Sequence, residues 1–450
     1  MSQLKLSYLC RMQTNSTITS ALRNLSITQL NEMQAAAIEK AAHHPNLMIL
    51  APTGSGKTLA FLIPVIDSLQ ENIQEVQALI ITPSRELALQ IEQVFKAIKS
   101  SFKVSCCYGG HSMKTEQNSL SEAPAVIIGT PGRIADHIER QSFDASKVKM
   151  IVLDEFDKSL QMGFQEELKF IFQALNRKQK HILTSATSIN SLPDFIPFTK
   201  CETVNFLKAQ KNEKLHLKLL RTKTTDKVET LLRLVAGFNQ EVCLVFCNHR
   251  DAVDRISSVL AMNHIEHGVF HGALEQIDRE KNLIKFRGGA HNILVATDLA
   301  ARGLDIPEIK HVVHYQLPPQ YDAFIHRNGR TARVQAEGEA YLVLAADESL
   351  PDYIDKDIEE ITVNPKLKLP PPPKYVCLYI SAGKKEKISK GDVVGLLMKK
   401  GELQNDDLGL ITILDHSSYV SINRSLAEDV LKKIKNEKLK KLKVKIEVAY

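Results

Sequence analysis

Eight consecutive residues, Ala51-Pro52-Thr53-Gly54-Ser55-Gly56-Lys57-Thr58, carry the clearest chemistry in the chain. They follow the apolar run Leu47–Leu50 and precede the helix-compatible Leu59–Leu69. Strand, glycine turn and helix in that order build a phosphate cradle. Thr53, Gly54, Ser55 and Gly56 form the turn, and its two glycines let backbone N–H groups converge on an anion at a helix N-terminus. Lys57 then reaches the terminal phosphates, and the Thr58 hydroxyl is placed to ligate Mg²⁺. A nucleoside triphosphate site follows. A second cluster, Asp154-Glu155-Phe156-Asp157, comes after Val148–Leu153, which reads as a buried parallel strand. Ligands in open α/β sheets bind at the carboxyl ends of strands. Asp154 is therefore placed to hold Mg²⁺ through water, and Glu155 to orient or deprotonate an attacking water. Downstream of a phosphate loop, this pair implies hydrolysis.

Two runs of alternating elements position these residues. Between residues 46 and 187, short Val/Ile/Leu strands such as Ala78–Thr82, Val104–Tyr108, Ala125–Gly129, Met150–Leu153 and His181–Thr184 alternate with helix-like segments. After Lys208 the pattern restarts with Val242–Phe246, Gly268–Phe270, Asn292–Ala296, His311–His314 and Ala340–Leu344. Such βαβ alternation predicts parallel sheets covered on both faces. The expected fold class is α/β, two such domains in tandem, with a connector near residues 205–215. From Lys374 the order becomes β-α-β-β-α-β, the ferredoxin-like α+β arrangement. The expected domains are 1–207, 208–364, a Pro-rich linker at 365–373 and a small domain at 374–450.

Charge separates the last domain from the rest. Residues 374–450 hold 16 Lys/Arg against 10 Asp/Glu, an excess equal to the whole chain's +6, so residues 1–373 are balanced. A basic module behind the stiff Pro370–Pro373 spacer suggests a polyanionic partner. The chain has no apolar run long enough to span a bilayer, and Met1–Met12 lacks the apolar core of a signal peptide. Its seven cysteines are scattered, and Cys243 with Cys247 has no second metal-spaced pair, so reduced thiols and a cytoplasmic location are expected.

Beyond those two motifs, residues 30–345 resemble a superfamily 2 helicase of the DEAD-box family, with motifs in the family's order. Pro83–Ala88 is similar to motif Ia, Gly109-Gly110 to the GG motif, Thr130-Pro131-Gly132-Arg133 to motif Ib and Ser185-Ala186-Thr187 to motif III. Gln276 and Arg279 resemble the QxxR motif, Thr297-Asp298 with 301–305 motif V, and 326–333 (HRNGRTAR) motif VI. The resemblance implies two RecA-like domains that bind ATP with Mg²⁺, and that Gln34 reads adenine while Asp305 meets the ribose. It implies that Arg330 and Arg333 act as arginine fingers. Asp157, Ser185, Thr187 and His326 would couple hydrolysis to RNA. Arg85, Gly110, Thr130, Arg133, Gln276, Arg279 and Thr297 would line the RNA path. Guanidinium groups from a second domain stabilise the phosphoryl-transfer transition state only on closure, which makes ATP binding and closure one event. Four residues depart from the family pattern: Phe156 stands for its alanine, Ser84 for threonine, and Asn328 and Ala332 for the commoner isoleucine and glycine. With both carboxylates and Asp157 kept, catalysis is expected to survive, while whether a bulky Phe156 beside motif III alters interdomain coupling is left open.

The last domain resembles the terminal module of the DbpA/YxiN group, a divergent RNA-recognition motif (RRM-like) carried by bacterial helicases. Leu378–Lys387, Lys390–Gly395 and Asp415–Val420 carry the likeness. It implies RNA as partner, specifically large-subunit ribosomal RNA, with pre-ribosomal particles as a further partner; a monomer is expected, since no heptad run argues for a coiled-coil dimer. Lys384, Lys385, Lys387 and Arg424 are candidates to meet phosphates. Tyr379 and Tyr419 are open between base stacking and the core. Two other functions share the motifs: an ATP-gated RNA clamp or scaffold with little unwinding, and a general RNA chaperone helicase in cold adaptation or RNA decay.

Overall fold

The computed structural model describes residues 16–449 apart from 111, 176–178, 190, 198–199, 208–214, 301–308, 332–336, 356, 365–369 and 436. Two compact units meet in sequence between Asn212 and Glu213. In the first, seven parallel strands are β1 (Asn46–Leu50), β2 (Ala78–Ile81), β3 (Val104–Cys107), β4 (Val126–Gly129), β5 (Met150–Leu153), β6 (Lys180–Ser185) and β7 (Glu202–Asn205). Their order across the sheet is β3-β4-β2-β5-β6-β1-β7. β1, β2, β4 and β5 are buried along their whole length, as a sheet covered on both faces demands. Leu47 and Ile49 enter one apolar layer with Phe61 and Phe95, while Met48 and Leu50 enter the other with Leu168 and Ile171.

Phe156 belongs to that second layer and is fully buried there, with Leu153, Leu183 and Ile171 in the same cluster. Its ring fills the core of this unit. A Phe156→Leu variant should lose about 1 kcal/mol of stability in chemical denaturation and keep its ATPase and unwinding rates. Loss of unwinding at unchanged stability would restore a role for the ring in coupling.

The second unit repeats the architecture. Its strands are β8 (Leu215–Arg221), β9 (Cys243–Phe246), β10 (Gly268–Phe270), β11 (Ile293–Ala296), β12 (His311–His314), β13 (Gly338–Leu344) and β14 (Glu359–Glu360). All are parallel, in the order β10-β11-β9-β12-β13-β8-β14. β7 and β8 were not expected from the sequence, which offered only a connector near 205–215. β8 lies beside β13 from Leu215↔Gly338 to Arg221↔Leu344, yet it is only part-buried and carries Lys218, so it lacks an apolar run. Cys243 and Cys247 are buried free thiols, and burial pushes Cys247 up to about 12. Among the described residues, no helix is long and apolar enough to cross a membrane.

The same unit carries the C-terminal module. β15 (Tyr375–Ile380), β16 (Leu408–Ile413) and β17 (Ser418–Asn423) precede a short hairpin, β18 (Lys438–Leu439) and β19 (Leu442–Lys443), and then β20 (Ile446–Val448). The antiparallel sheet runs β16-β17-β15-β20, with helices Lys390–Lys399 and Ala427–Ile434. Leu378, Ile380, Val420 and Ile422 bury one face against those helices. Alternate residues Cys377 and Tyr419 cluster with Ile284 and Ala290 of the preceding domain and with Ala449. The approach is close: a Cβ on Gly288 would lie 2.1 Å from Ser421 Oγ.

Candidate nucleotide and RNA sites

Sheet order explains how distant residues meet. β6 runs between β5 and β1, so the segments after Leu50, Leu153 and Leu183 leave the same edge of the first sheet. After β1 the chain turns with Gly54 at φ +82° and Gly56 at φ +85°, and the Lys57–Ser68 helix begins with no side-chain cap. Its first N–H groups are thereby offered to an anion. Ser55 Oγ is buried with no hydrogen-bond partner among the described residues. Lys57 Nζ donates to Ala51 O at 2.6 Å and Pro52 O at 3.0 Å, across the base of the turn. These features fit a nucleotide's phosphates.

Asp154 follows β5 and accepts from Thr184 Oγ1 at 2.5 Å; the same hydroxyl accepts the Glu155 N–H at 3.1 Å. Burial pushes the Asp154 carboxyl above its ordinary range, against the pull of Thr184 and Lys57. A carboxylate so desolvated gains most from a nearby cation, which suits Mg²⁺ shared with Thr58. Glu155 has φ +47°, a left-handed backbone uncommon for a residue with a side chain. Thr187 Oγ1 donates to Asp157 Oδ2 at 2.9 Å, while Ser185 Oγ donates to Thr187 O at 2.7 Å. The acidic cluster and 185–187 are thus tied directly. Thr184 makes the second tie and was missed: nothing in the order Thr184-Ser185 says which hydroxyl faces β5.

Gln34 is brought to the turn, as is a residue the sequence did not single out. Asn31 Oδ1 accepts the Gln34 N–H at 2.8 Å and Gln34 Oε1 accepts the Asn31 N–H at 3.0 Å, a capping box for the Glu32–His43 helix. Each amide then donates into the phosphate turn, Gln34 Nε2 to Gly56 O at 3.1 Å and Asn31 Nδ2 to Ser55 O at 2.9 Å.

The expected RNA-path residues of the first unit gather around Tyr108, just before Gly109-Gly110. Ser84 Oγ caps the Arg85–Ile98 helix by accepting the Leu87 N–H at 3.3 Å, and the Arg85 guanidinium lies 4.5 Å from the Tyr108 ring centre. Gly110 has φ +89°, and Thr130 opens the Pro131–Glu139 helix, which also lacks a side-chain cap. Arg133 is engaged within the protein: its Nε lies 3.0 Å from Glu116 Oε2 and 3.2 Å from Tyr108 O, and its side chain is 13% exposed.

In the second unit, Gln276 and Arg279 are half-buried on the first turn of the Gln276–Arg287 helix, and Thr297 follows β11. His326 and Arg330 are buried at and beyond the end of the Tyr321–Asn328 helix. Asp305 and Arg333 lie outside the described residues. Arg327, fully buried, was also missed. It donates from Nε to Asp298 Oδ1 at 2.6 Å, and from its terminal nitrogens to Gln316 O at 2.6 Å and Asn248 Oδ1 at 2.8 Å. Asn328 accepts from His314 Nε2 at 2.8 Å; burial pushes that histidine down to about 3 and keeps it neutral.

In the module, Lys384, Lys385 and Lys387 are exposed on the loop after β15. Lys440 donates to Lys387 O at 2.6 Å, which brings the exposed Lys438, Lys441 and Lys443 of the β18–β19 hairpin to the same loop. Arg424 has a different position from the one expected. Its guanidinium grips Glu266 of the preceding domain at 2.8 and 2.6 Å and also donates to Pro373 O and Tyr375 O. With its donors committed, it fixes the module's seat rather than meeting phosphate. Tyr419 is likewise in the seat and meets Tyr379 edge-on at 5.6 Å.

Residues 31–195 match the DEAD/DEAH box helicase family, 226–335 the helicase conserved C-terminal domain and 377–448 the DbpA RNA binding domain. The chain is 30% identical to the ATP-dependent RNA helicase DbpA of Bacillus subtilis, covering 99% of this chain and 100% of that protein. It is 29% identical to the protein of that name from Escherichia coli, over 93% and 94% of the two chains. Among solved structures, Saccharomyces cerevisiae Dbp5 bound to RNA and ADP BeF3 shares the fold, with a TM-score of 0.67 at 24% identity over 75% of this chain and 89% of that one.

Proposed function

Since this chain belongs to the DEAD-box family of ATP-dependent RNA helicases and ends in a DbpA RNA binding domain, we propose that it remodels large-subunit ribosomal RNA during ribosome assembly. In this reading it acts as a cytoplasmic monomer. The phosphate turn at Thr53–Thr58 holds the triphosphate, with Lys57 at its terminal phosphates. Thr58 and Asp154 would hold Mg²⁺, which would supply positive charge beside the phosphate oxygens. Glu155 orients and deprotonates the attacking water, and Arg330 and Arg333 add cationic charge when the domains close. Asp157 and Thr187 carry the state of the acidic cluster into 185–187. Domain closure on RNA separates a short duplex locally, while Arg85, Gly110, Thr130, Gln276, Arg279 and Thr297 hold phosphates without reading bases.

The observation that carries the ribosomal address is the lysine loop at 384–387, exposed and joined to the lysine hairpin on a module seated through its other residues. A positive loop of this kind recognises a folded RNA by its backbone and depends on salt. Removing the module would bare Ile284 and Ala290, so the sound test keeps the chain whole. Lys384→Glu, Lys385→Glu and Lys387→Glu together should raise the concentration of large-subunit ribosomal RNA needed for half-maximal ATPase stimulation by roughly ten-fold or more. Stimulation by an unrelated structured RNA should hardly change. If the native chain responds equally to both RNAs, the ribosomal assignment fails and a general RNA chaperone helicase remains.

A further inference from the structure

Tyr108 is held by Arg85 and Arg133, from two segments expected to grip RNA, and by Glu116 of the Met113–Leu120 helix. Its N–H donates to Glu116 Oε1 at 3.1 Å, its carbonyl accepts from Arg133 Nε at 3.2 Å, and its ring lies 4.5 Å from the Arg85 guanidinium carbon. Glu116 is 4% exposed and closes the frame, because its other oxygen meets Arg133 Nε at 3.0 Å and His137 Nε2 at 2.8 Å. The two arginines are treated differently. Arg133 is neutralised by a buried carboxylate, whereas Arg85 rests against an aromatic face and has no carboxylate within ion-pair distance among the described residues. A ring fixes a cation through its quadrupole without cancelling its charge. Arg85 therefore keeps a full positive charge and a restricted direction. Its terminal nitrogen would come within 3.6 Å of a Cβ on Gly110, so it is aimed across the glycine pair.

We propose that Tyr108 is a positioning residue for RNA binding: its ring pre-orients Arg85 toward a backbone phosphate, and the Glu116–Arg133 frame holds the ring in place. The proposal rests on the reading that Arg85 lines the RNA path. Because Glu116 and Arg133 engage Tyr108 through its backbone, a side-chain substitution removes the ring and leaves the frame standing. Lysine or arginine held by a carboxylate would lose affinity for phosphate; a ring avoids that loss and still limits the conformational freedom that binding would otherwise cost.

The test uses the full chain and a single-stranded RNA oligonucleotide, with the RNA concentration for half-maximal ATPase stimulation and the KM for ATP as readouts. Tyr108→Leu should raise the RNA requirement about five-fold and leave the KM for ATP unchanged. Tyr108→Phe should restore native behaviour. In an Arg85→Ala background, Tyr108→Leu should add nothing, since its effect passes through Arg85. Equal effects of Tyr108→Leu in both backgrounds, or a KM for ATP that rises in step, would overturn the positioning role while leaving Arg85 on the RNA path. An Arg85→Ala chain with native RNA dependence would instead remove Arg85 from that path, and the proposal with it.

Discussion

Glu155→Gln should lower RNA-stimulated ATP hydrolysis by a factor on the order of 10²–10⁴ while leaving nucleotide affinity nearly native. The substitution keeps the shape of the side chain and removes only its charge and basicity. In the proposed site, phosphate binding rests on other groups: the turn around Gly54 and Gly56, the uncapped helix start at Lys57, and the Lys57 ammonium. Glu155 is held apart from that task. Its backbone is pinned at φ +47° and its N–H is bound by Thr184, which also receives no freedom to move because it donates to Asp154. Backbone strain of this kind costs about 1–3 kcal/mol and persists where the surroundings impose it. Here it fixes where the carboxylate stands. Hydrolysis under single-turnover conditions and equilibrium binding of a fluorescent nucleotide separate the two effects. A variant that hydrolyses ATP at more than a tenth of the native rate would show that another group activates the water.

What could be read from the sequence was what is local. The phosphate turn, the acidic cluster and Ser185–Thr187 each place their residues within a few positions, so spacing alone fixes their meeting. Long-range partners left no such trace. Asn31 supports the turn from 24 residues away, and Thr184 reaches Asp154 across 30, a contact set by β5 lying beside β6. Arg133 and Arg424 show the same limit for charge. A cationic side chain at a motif position suggests phosphate, yet both meet glutamates, at 116 and 266, that sequence order does not bring near. β8 escaped because a strand at the margin of a covered sheet needs no apolar run. Phe156 was legible as a departure, but its direction depended on which apolar layer the Phe156–Gln161 helix faces.

Arg327→Lys should weaken the second domain by about 3 kcal/mol and reduce stimulated hydrolysis even where the chain remains folded. The guanidinium at this position serves three separate acceptors, Asp298, Gln316 and Asn248, and packs its face 5.1 Å from the centre of the Phe246 ring. A lysine ammonium is a compact charge on a flexible stem and cannot span those directions together, so at least one buried acceptor is left unmatched. Asp298 retains partial access to water, at 32% exposure, which places the cost at the lower end of the range for a broken buried pair. The functional loss has a separate origin. Arg330 follows three residues later in the same buried segment, so a shift of the Tyr321–Asn328 helix end moves the arginine expected to reach the phosphates. Because this chain has several domains, a single unfolding midpoint would mix their contributions. Hydrogen exchange across residues 321–331 isolates the local effect and should show faster exchange in the variant. Native protection with native ATPase would mean that the network around Arg327 is replaceable by a point charge. Native protection with impaired hydrolysis would instead make the guanidinium's alignment of Arg330, rather than domain stability, its main contribution.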